Sequence, residues 1–293
     1  MTSRYSNLER PGLDAAALSA ALCAPGGPFA RFELVQETGS TNADLVERAG
    51  LGPGEWPDLS VLTAEMQRAG RGRLGRSWVA PERSSLIVSI LLRPVGASGR
   101  PLATTSYSWL SLLTALALAE SIEARTEIRA RLKWPNDVTV DGRKLAGILA
   151  QFVPSADGAP PAVVVGAGLN VSLTDSELPV PTATSLLLEY AGTTDRNILI
   201  QSFLRNFAAL YAEFCAVEGD ALAALGDGKS LRAKVSERTH TLGREVRAEL
   251  PGGGELNGRA LSLDASGALV VRDGDGERHV VSAGDVVHLR PAG

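Results

Sequence analysis

Apolar and polar positions follow two successive patterns along this chain, and together they predict two folded units. In the first, short apolar runs typical of buried strands alternate with segments of helical period. After a Gly- and Asp-rich joint near residues 225–229, short strand-like runs separated by turn residues predict a small β-barrel. The pattern therefore predicts an N-terminal extension over 1–30, a large α+β domain over 31–228 and a small barrel over 229–293.

The larger domain is expected to contain a mixed sheet flanked by helices. Its predicted strands cover 31–36, 60–65, 84–92, 129–134, 138–140, 144–153 and 162–171, with a hairpin turn at Asp141-Gly142 and a polar loop at 155–161. Predicted helices cover 13–22, 43–49, 102–125 and 197–215, and Ser40 or Thr41 is the expected N-cap of the second. In the small barrel the predicted strands are 244–250, 256–264, 268–272, 277–281 and 286–289.

Composition narrows the class of partner. The 293 residues carry a net charge of −4, so there is no general attraction to nucleic acid or to acidic membranes. The longest apolar run, around 109–118, is interrupted by Ser111 and Thr114 and is too short to span a bilayer. Cys23 and Cys215 are far apart, which favours a reducing compartment. We therefore expect a cytoplasmic protein without nucleic-acid or membrane partners.

The distribution of basic residues limits the chemistry of the larger domain. The three histidines of the chain all lie after residue 239: they are His240, His279 and His288. This position argues against Ser-His-Asp hydrolysis and His-ligated zinc in the larger domain. Only four lysines occur in the chain, and Lys133 and Lys144 lie in or beside predicted strands. Their placement suggests a specific need for ammonium groups, although surface lysine drift explains it as well.

A glycine- and arginine-rich segment, Gly70-Arg71-Gly72-Arg73-Leu74-Gly75-Arg76-Ser77-Trp78, is the strongest local signal. Glycines let a backbone bend closely around a ligand, and guanidinium groups match phosphate and carboxylate oxygens. The three glycines also fit the dinucleotide pattern G-x-G-x-x-G, but that motif needs a helix after it and an acidic residue about 20 positions on. Here a second strand follows, and no acidic residue lies between Glu82 and Glu120. The segment predicts an anion-binding loop, with a solvated basic loop or an RNA-binding Arg-Gly segment as alternatives.

Three further segments complete a pattern in chain order. They are Gly39-Ser40-Thr41-Asn42, Lys133-Trp134-Pro135-Asn136-Asp137-Val138 with Lys144-Leu145-Ala146-Gly147-Ile148-Leu149, and Gly166-Ala167-Gly168-Leu169-Asn170-Val171. With the Gly-Arg loop, these elements resemble the biotin protein ligases over about residues 31–170, and the C-terminal barrel is similar to that family's last domain. The resemblance implies an α+β fold of the class II synthetase and biotin/lipoate ligase type, followed by an SH3-like barrel.

The resemblance also implies an activity. Such enzymes join the biotin carboxylate to the α-phosphate of ATP, form biotinyl-5′-AMP and pyrophosphate, and then transfer biotin to a lysine of a biotin carboxyl carrier domain. Two anions meet in the first step, so positioned cations matter more than a proton carrier. Mg²⁺ is expected on the phosphates with few protein ligands. Asn136 and Asp137 are candidates either to orient their loop or to help hold Mg²⁺, with simple turn formation as the alternative, and no metal ligand is assigned.

Further expectations concern partners and assembly. The extension over 1–30 is too short for a DNA-binding domain, so no repressor activity is expected. The expected partner is the carrier domain of an acyl-CoA carboxylase. The expected assembly is a monomer or a ligand-dependent homodimer.

The resemblance assigns the vitamin-binding side by position. Ser40, Thr41 and Asn42 correspond to the segment at the ureido ring, where hydroxyls and a helix N-terminus offer both donors and acceptors. From the sequence alone these residues are as readily a helix cap. The remaining biotin contacts implied by position are Gln67, Gly70, Arg71, Gly72, Arg73, Lys133 and Gly147.

The nucleotide side is assigned in the same way. Lys133 corresponds to the lysine between the biotin carboxylate and the α-phosphate, and it is predicted as the catalytic residue together with Arg73 and Arg76. A solubilising edge lysine is the alternative interpretation of Lys133. The implied nucleotide contacts are Arg71, Arg76, Trp78, Asn136, Lys144 and Asn170.

Three rival functions remain, one of which is an RNA-binding protein that uses Arg71, Arg73 and Arg76. A lipoate or octanoate ligase shares the fold and a corresponding lysine, although the Gly-Arg loop favours biotin. A structural scaffold containing a barrel is the non-enzymatic alternative, and it predicts no pyrophosphate release with any substrate.

Overall fold

The computed structural model describes residues 10–154, 160–249 and 254–282 and the backbone of 285–288. Most of the predicted loop 155–161 and residues 251–253, between the first two predicted strands of the small barrel, lie outside these residues. The helices are α1 Ala15–Leu22, α2 Thr41–Ala49, α3 Ser108–Thr126, α4 Arg196–Ala216 and α5 Leu231–Arg238. The strands are β1 Arg31–Thr38, β2 Ser60–Gln67, β3 Gly70–Arg71, β4 Ser77–Trp78, β5 Ser85–Leu92, β6 Arg131–Lys133, β7 Asp137–Val140, β8 Arg143–Val153, β9 Ala162–Asn170, β10 Glu245–Glu249, β11 Glu255–Leu263, β12 Leu269–Arg272, β13 Arg278–Val281 and β14 Asp285–His288.

The larger sheet has seven strands in the order β1-β2-β5-β9-β8-β7-β6. The β1 and β2 strands run parallel, and each of the other neighbours pairs antiparallel. The predicted mixed sheet flanked by helices is therefore confirmed. Residues 146–153 of β8 pair antiparallel with residues 162–169 of β9, and this central pair carries the candidate site.

The two faces of this sheet are covered unequally. On β9, Val163, Val165 and Leu169 point into the main apolar core beneath α3 and α4. The alternate positions Ala162 and Val164 pack with Leu45 of α2 in a smaller cluster on the other face. Because α2 has only nine residues, it covers part of that face, and residues 166–170 of β9 lie beyond the cluster. The signature segments, which are the Gly-Arg segment and the three further segments that carry the family resemblance, meet on the uncovered part of this face.

The predicted helix 102–125 begins later than expected. The α3 helix starts at Ser108, after a 3₁₀ turn at Thr104–Tyr107. The amide of Leu102 donates to the Pro94 carbonyl, so this residue belongs to a loop bridge rather than to a helical turn. The sequence analysis also missed α5, whose eight residues lack a clear apolar period, and the two-residue strands β3 and β4.

The C-terminal unit is a five-stranded sheet in the order β13-β12-β11-β10-β14. Its neighbours pair antiparallel, which confirms the predicted small β-domain, but β13 and β14 do not pair with each other in the described residues, so the sheet stays open. Two tryptophans of the larger unit hold it in place: the indole N–H of Trp109 donates to the Ala265 carbonyl at 2.8 Å and that of Trp134 to the Gly267 carbonyl at 3.0 Å. No described helix is long and apolar enough to cross a membrane.

Candidate active site

A row of paired residues across β6, β7, β8 and β9 forms the floor of the site. Lys133 pairs with Asp137, Asp137 with Gly147, and Gly147 with Gly168. Directly opposite residues on neighbouring strands present their side chains on the same face. The row therefore changes from a cation to an anion and then to two residues without side chains, which leaves a flat uncharged strip beside charged groups.

The next row is covered by the N-terminus of α2. Gly166 pairs with Ser89 on β5 and Leu149 on β8, and a Cβ at Gly166 would overlap the amide oxygen of Asn42. The Asn42 amide donates to the Leu149 carbonyl at 3.0 Å and accepts from the Ser89 hydroxyl at 2.6 Å. Glycine at position 166 thus lets α2 approach the sheet closely enough for these bonds to form.

Thr41 and Gln67 extend the same network. The Oε1 atom of Gln67 accepts from the Thr41 amide at 2.7 Å and from its hydroxyl at 3.0 Å, while the Ser89 hydroxyl also contacts Thr41 Oγ1 at 2.7 Å. Ser40 is the N-cap of α2, as predicted, and accepts from the Ala43 amide. All these side chains are buried, so the pocket at the start of α2 is neutral and extensively hydrogen-bonded.

Trp78 covers the glycine strip. A Cβ at Gly168 would lie 2.5 Å from the indole Cε2 atom, and one at Gly147 would lie 3.5 Å from Cζ3. The indole therefore rests on the space that the two glycines leave. Its Nε1–H is buried and has no hydrogen-bond partner in the described part of the chain. A buried donor left in this way costs about 1–3 kcal/mol.

Cationic side chains from the Gly-Arg segment, the end of β6 and the start of β8 form a cluster at the Lys133 end of the row. The Lys144 ammonium lies 2.7 Å from the Asp137 carboxylate and 6.0 Å from the centre of the Trp78 ring. Arg73 reaches the amide oxygen of Asn136 at 3.5 Å, and the Asn136 amide donates to the Ile148 carbonyl at 2.7 Å. We define the cation cluster as Arg73, Arg76, Lys133 and Lys144.

Burial and mutual repulsion set the electrostatics of this cluster. Burial lowers the pKa of Lys133, Asp137 opposes that effect, and Lys144 and Arg76 add to it. Burial likewise lowers the pKa of Arg73, again opposed by Asp137. The site therefore concentrates positive charge in a partly desolvated place, where an incoming anion is bound strongly.

The other predicted contacts surround this centre less closely. Arg71 and Arg76 are exposed on the loop, and Leu74 between them is 71% exposed with a φ of 54°. Gly70 lies where a Cβ would meet the Gln67 amide, and Gly72 bonds across the loop to the Arg76 carbonyl. Asn170 is buried at the end of β9 and donates to the Thr184 carbonyl at 2.9 Å.

The sequence analysis missed three participants. Ser89 looked like an ordinary member of an apolar strand, and its only signal was a hydroxyl on the face that α2 covers. Gly166 and Gly168 were part of a quoted motif but were given no role. Their alternation along β9 was the available signal, because two glycines at spacing two open one face of a strand.

One histidine reaches the larger sheet. The amide of His240 donates to the Leu132 carbonyl, and its Nδ1 lies 3.3 Å from the Thr139 hydroxyl. Burial lowers its pKa to about 4, with Arg244 and Lys133 acting in the same direction. The ring is therefore neutral near pH 7. Among the described residues no group of three or more His, Cys, Asp or Glu side chains is arranged to hold a metal ion.

A cavity of about 350 Å³ adjoins the cation cluster. It lies between the start of α3, the second half of β8 and the loop around Gly267 of the small sheet, and Arg73 and Asn136 form the wall shared with the cluster. Arg73 is the one member of the cation cluster that lines this cavity, so the two adjoin at that side chain.

Two family models match the chain. The model described as the biotin/lipoate A/B protein ligase family covers residues 35–170, which include all four signature segments. The model of the biotin protein ligase C terminal domain covers residues 241–289.

Relatives match over nearly the whole chain. A biotin--[acetyl-CoA-carboxylase] ligase of Mycobacterium tuberculosis is 40% identical over 96% of this chain and 97% of its own length. One from Paracoccus denitrificans is 33% identical over 86% and 98%. The structure of a biotin protein ligase from Aquifex aeolicus in complex with biotin and ATP superimposes with a TM-score of 0.68 at 26% identity, covering 89% of this chain and all of the other.

Proposed function

Since this chain belongs to the biotin protein ligase family, we propose that it activates biotin with ATP as biotinyl-5′-AMP and transfers the biotinyl group to a lysine of a biotin carboxyl carrier domain. The relatives named as biotin--[acetyl-CoA-carboxylase] ligases support both the reaction and the class of acceptor. The observation that carries the proposal is the row from Lys133 to Gly168, in which cations stand at one end of an uncharged strip. An apolar chain ending in a carboxylate fits that order.

The neutral pocket at the start of α2 recognises the vitamin. A ureido group is uncharged and offers both donors and an acceptor, which matches the hydroxyls and amides of Ser40, Thr41, Asn42 and Gln67. Their existing bonds fix these groups before ligand arrives, so little ordering is left for binding to drive. The valeryl chain then takes the space over Gly168 and Gly147 that the Trp78 indole fills without ligand, so Trp78 moves aside as the vitamin binds.

The first chemical step takes place at the cation cluster. A carboxylate oxygen of biotin attacks the α-phosphorus of ATP, the bond to the bridging oxygen of the β-phosphate breaks, and pyrophosphate leaves. Lys133 offsets the repulsion between the two anions and stabilises charge on the phosphoryl oxygens. Lys144 shares that role, because its ammonium lies beside Gly147, where the chain of the ligand ends. Arg73 and Arg76 bind phosphate oxygens, Arg71 extends the loop over them, and Asn136 and Asn170 contact the nucleotide.

Mg²⁺ accompanies the nucleotide in this proposal. It keeps most of its waters and is held chiefly by substrate phosphates, so it needs few protein ligands. The described residues fit that demand, since Asn136 offers an amide oxygen beside the cation cluster and the described part of the chain holds no dedicated acidic cluster. When bound, Mg²⁺ supplies further charge neutralisation on the phosphates.

The second step transfers the vitamin. The unprotonated amine of the acceptor lysine attacks the carbonyl carbon of the mixed anhydride, the carbon–oxygen bond to AMP breaks, and an amide forms. The loop from Gly70 to Trp78 keeps water from the anhydride until the acceptor arrives. The cavity between the two units gives the acceptor an approach. We further propose that the protein works in the cytoplasm as a monomer or as a ligand-dependent homodimer.

Biotin-dependent exchange of pyrophosphate into ATP tests the proposal. Exchange should require biotin, and lipoate or octanoate should not replace it. Exchange that responds to lipoate instead of biotin would make the chain a lipoate-type ligase. Salt-dependent RNA retention that ignores biotin and ATP, in a protein without exchange, would support the RNA-binding alternative.

A further inference from the structure

Asp137 occupies an unusual position for a carboxylate, because it faces the cation cluster at short range. It stands opposite Lys133 on one neighbouring strand and opposite Gly147 on the other. Its Oδ1 atom lies 2.7 Å from the Lys144 ammonium. It is also the acidic group that acts on buried Arg73 and Lys133. An anion that binds substrate cations is not needed here, because both substrates of the proposed reaction are anionic.

Resting on the proposed function, we propose that Asp137 is a positioning residue of the adenylation step, which holds the Lys144 ammonium at the edge of the glycine strip. Lys144 lies at the start of β8, where a bulge shifts the pairing with β7 between Val138 and Thr139. Its side chain is flexible, and its ammonium has rotatable donors that select no direction by themselves. The fixed carboxylate of β7 gives the ammonium one direction, over Gly147, where its Nζ is 3.2 Å from a Cβ built on that glycine.

The same carboxylate keeps the cluster charged. Lys133 interacts with Asp137, Lys144 and Arg76, and it also acts on His240, as Arg131 of the same strand does. Asp137 alone among these groups favours the ammonium form. A neutral amine at Lys133 would no longer stabilise charge on the transferring phosphoryl group. Asp137 therefore supports both lysines without touching substrate and without moving a proton.

The isosteric variant Asp137→Asn tests this role in biotin-dependent pyrophosphate exchange. We expect kcat to fall about tenfold or more, since small misplacements of catalytic groups have effects of that size. The KM for ATP should not rise, because removing an anion makes the site more attractive to phosphate. The alkaline limb of the pH profile should move to lower pH, because Lys133 loses the group that favours its protonated form.

Two further variants separate positioning from a structural role. Asp137→Glu keeps the charge, so it should return the alkaline limb towards that of the wild type even if kcat recovers only in part. Asp227→Asn is the matched control, because Asp227, in the turn before α5, pairs with Lys234 of that helix at 2.8 Å. This variant should change neither kcat nor the alkaline limb. If Asp137→Asn does not fold, as judged by circular dichroism, the Asp137→Glu profile decides: an alkaline limb displaced to lower pH than in the wild type, despite the retained charge, contradicts the proposal.

The possible outcomes distinguish this inference from the proposed function. Wild-type protein without biotin-dependent exchange contradicts the proposed function itself. Normal wild-type exchange with an unchanged kcat and pH limb in Asp137→Asn contradicts only the role of Asp137. A raised Mg²⁺ requirement in Asp137→Asn with an unmoved pH limb would instead make Asp137 a metal ligand and overturn the inference.

Discussion

The two halves of the site are built in opposite ways. The half at the N-terminus of α2 is neutral and buried, and its side chains Thr41, Asn42, Gln67 and Ser89 bond to one another or to the backbone. The half at the cation cluster combines exposed arginines, lysines held close together and an indole N–H without a partner in the described residues. The first half engages its polar groups in hydrogen bonds, whereas the second gathers more positive than negative charge.

This difference assigns a separate task to each half. A prearranged neutral pocket recognises an uncharged group at little entropic cost. A concentration of cations becomes favourable only as negative charge arrives, which is what a site for joining a carboxylate to a phosphate requires. Variants that act on one half should therefore leave the task of the other intact.

The largest effect is expected at the lysines of the charged half. Lys133→Ala and Lys144→Ala should each lower biotin-dependent pyrophosphate exchange by about 10³-fold, the scale for losing one preorganised donor to developing charge. Biotin binding measured by calorimetry should weaken far less. Comparison of the two variants ranks the lysines, since Lys133 is the predicted catalytic residue and Lys144 lies nearer the strip.

The control for the lysine variants is Lys229→Ala, which removes an exposed surface pair with Glu237 and should leave exchange unchanged. Wild-type exchange rates in both Lys133→Ala and Lys144→Ala would remove the chemical role of the charged half.

A smaller effect is expected from a matched pair of glycine substitutions. Gly168→Ala meets the indole of Trp78 and should lower kcat/KM for exchange about tenfold with little change in Tm, because the loop can shift. Gly166→Ala meets Asn42 instead, in a packed network, and should destabilise the fold by about 1–3 kcal/mol and weaken biotin binding.

Thermal unfolding and biotin titration of these two glycine variants check the separation between the halves. Equal losses of Tm in both variants would show that the indole is as firmly packed as the α2 network, and the contrast between the halves would be lost.

An effect of similar size is expected at the loop, but on the release of the intermediate. Arg73→Ala removes a cation that touches the Asn136 amide and should speed the loss of biotinyl-5′-AMP about tenfold, the equivalent of one charged contact. Stability should be unchanged, because the side chain makes few other contacts. An unaltered dissociation rate of the intermediate, followed by stopped-flow fluorescence, would argue against the loop as a lid.

The smallest effect is expected for the pH dependence of stability, through His240, which contacts β6 and β7. The pKa of His240 falls from its ordinary value near 6.5 to about 4 on burial, so the folded state binds fewer protons than the unfolded state between these values. Its contribution to stability is present above about pH 6.5 and is lost as the pH falls towards 4. In His240→Gln, Tm should fall by a few degrees less than in the wild type between about pH 6.5 and pH 4. Matching slopes in both proteins would mean that the imidazole does not titrate with unfolding.

The sequence patterns predicted the strands of the larger sheet more completely than they predicted the charged half of the site. Long apolar runs fixed the positions of β5 and β9 closely, since period and flanking turns are local properties of the sequence. The start of α3 at Ser108 was missed, because the amide of Leu102 is engaged by Pro94, a contact that helical period does not report. The eight residues of α5 were missed because their burial depends on α3 and β6.

The candidate site shows the same limit. Motif order indicated which segments would meet, and the structure does bring Thr41, Gln67, Trp78, Lys133 and Lys144 to one face of the sheet. The register that sets Asp137 against Lys133 and places Gly147 beside Gly168 arises from pairing between strands distant in sequence. A bulge in that pairing cannot be read from any one strand. For this reason Ser89, Gly166 and Gly168 emerged only from the folded arrangement.

A crystal structure of the protein with a non-reactive analogue of biotinyl-5′-AMP is the most direct test of this division of tasks. The ureido ring should lie among Thr41, Asn42 and Gln67, and the chain should cross Gly168 and Gly147. The ammonium groups of Lys133 and Lys144 should lie about 3 Å from the oxygens of the carboxyl and phosphate groups. Both ammonium groups pointing into solvent, or the vitamin bound away from the glycine strip, would contradict it.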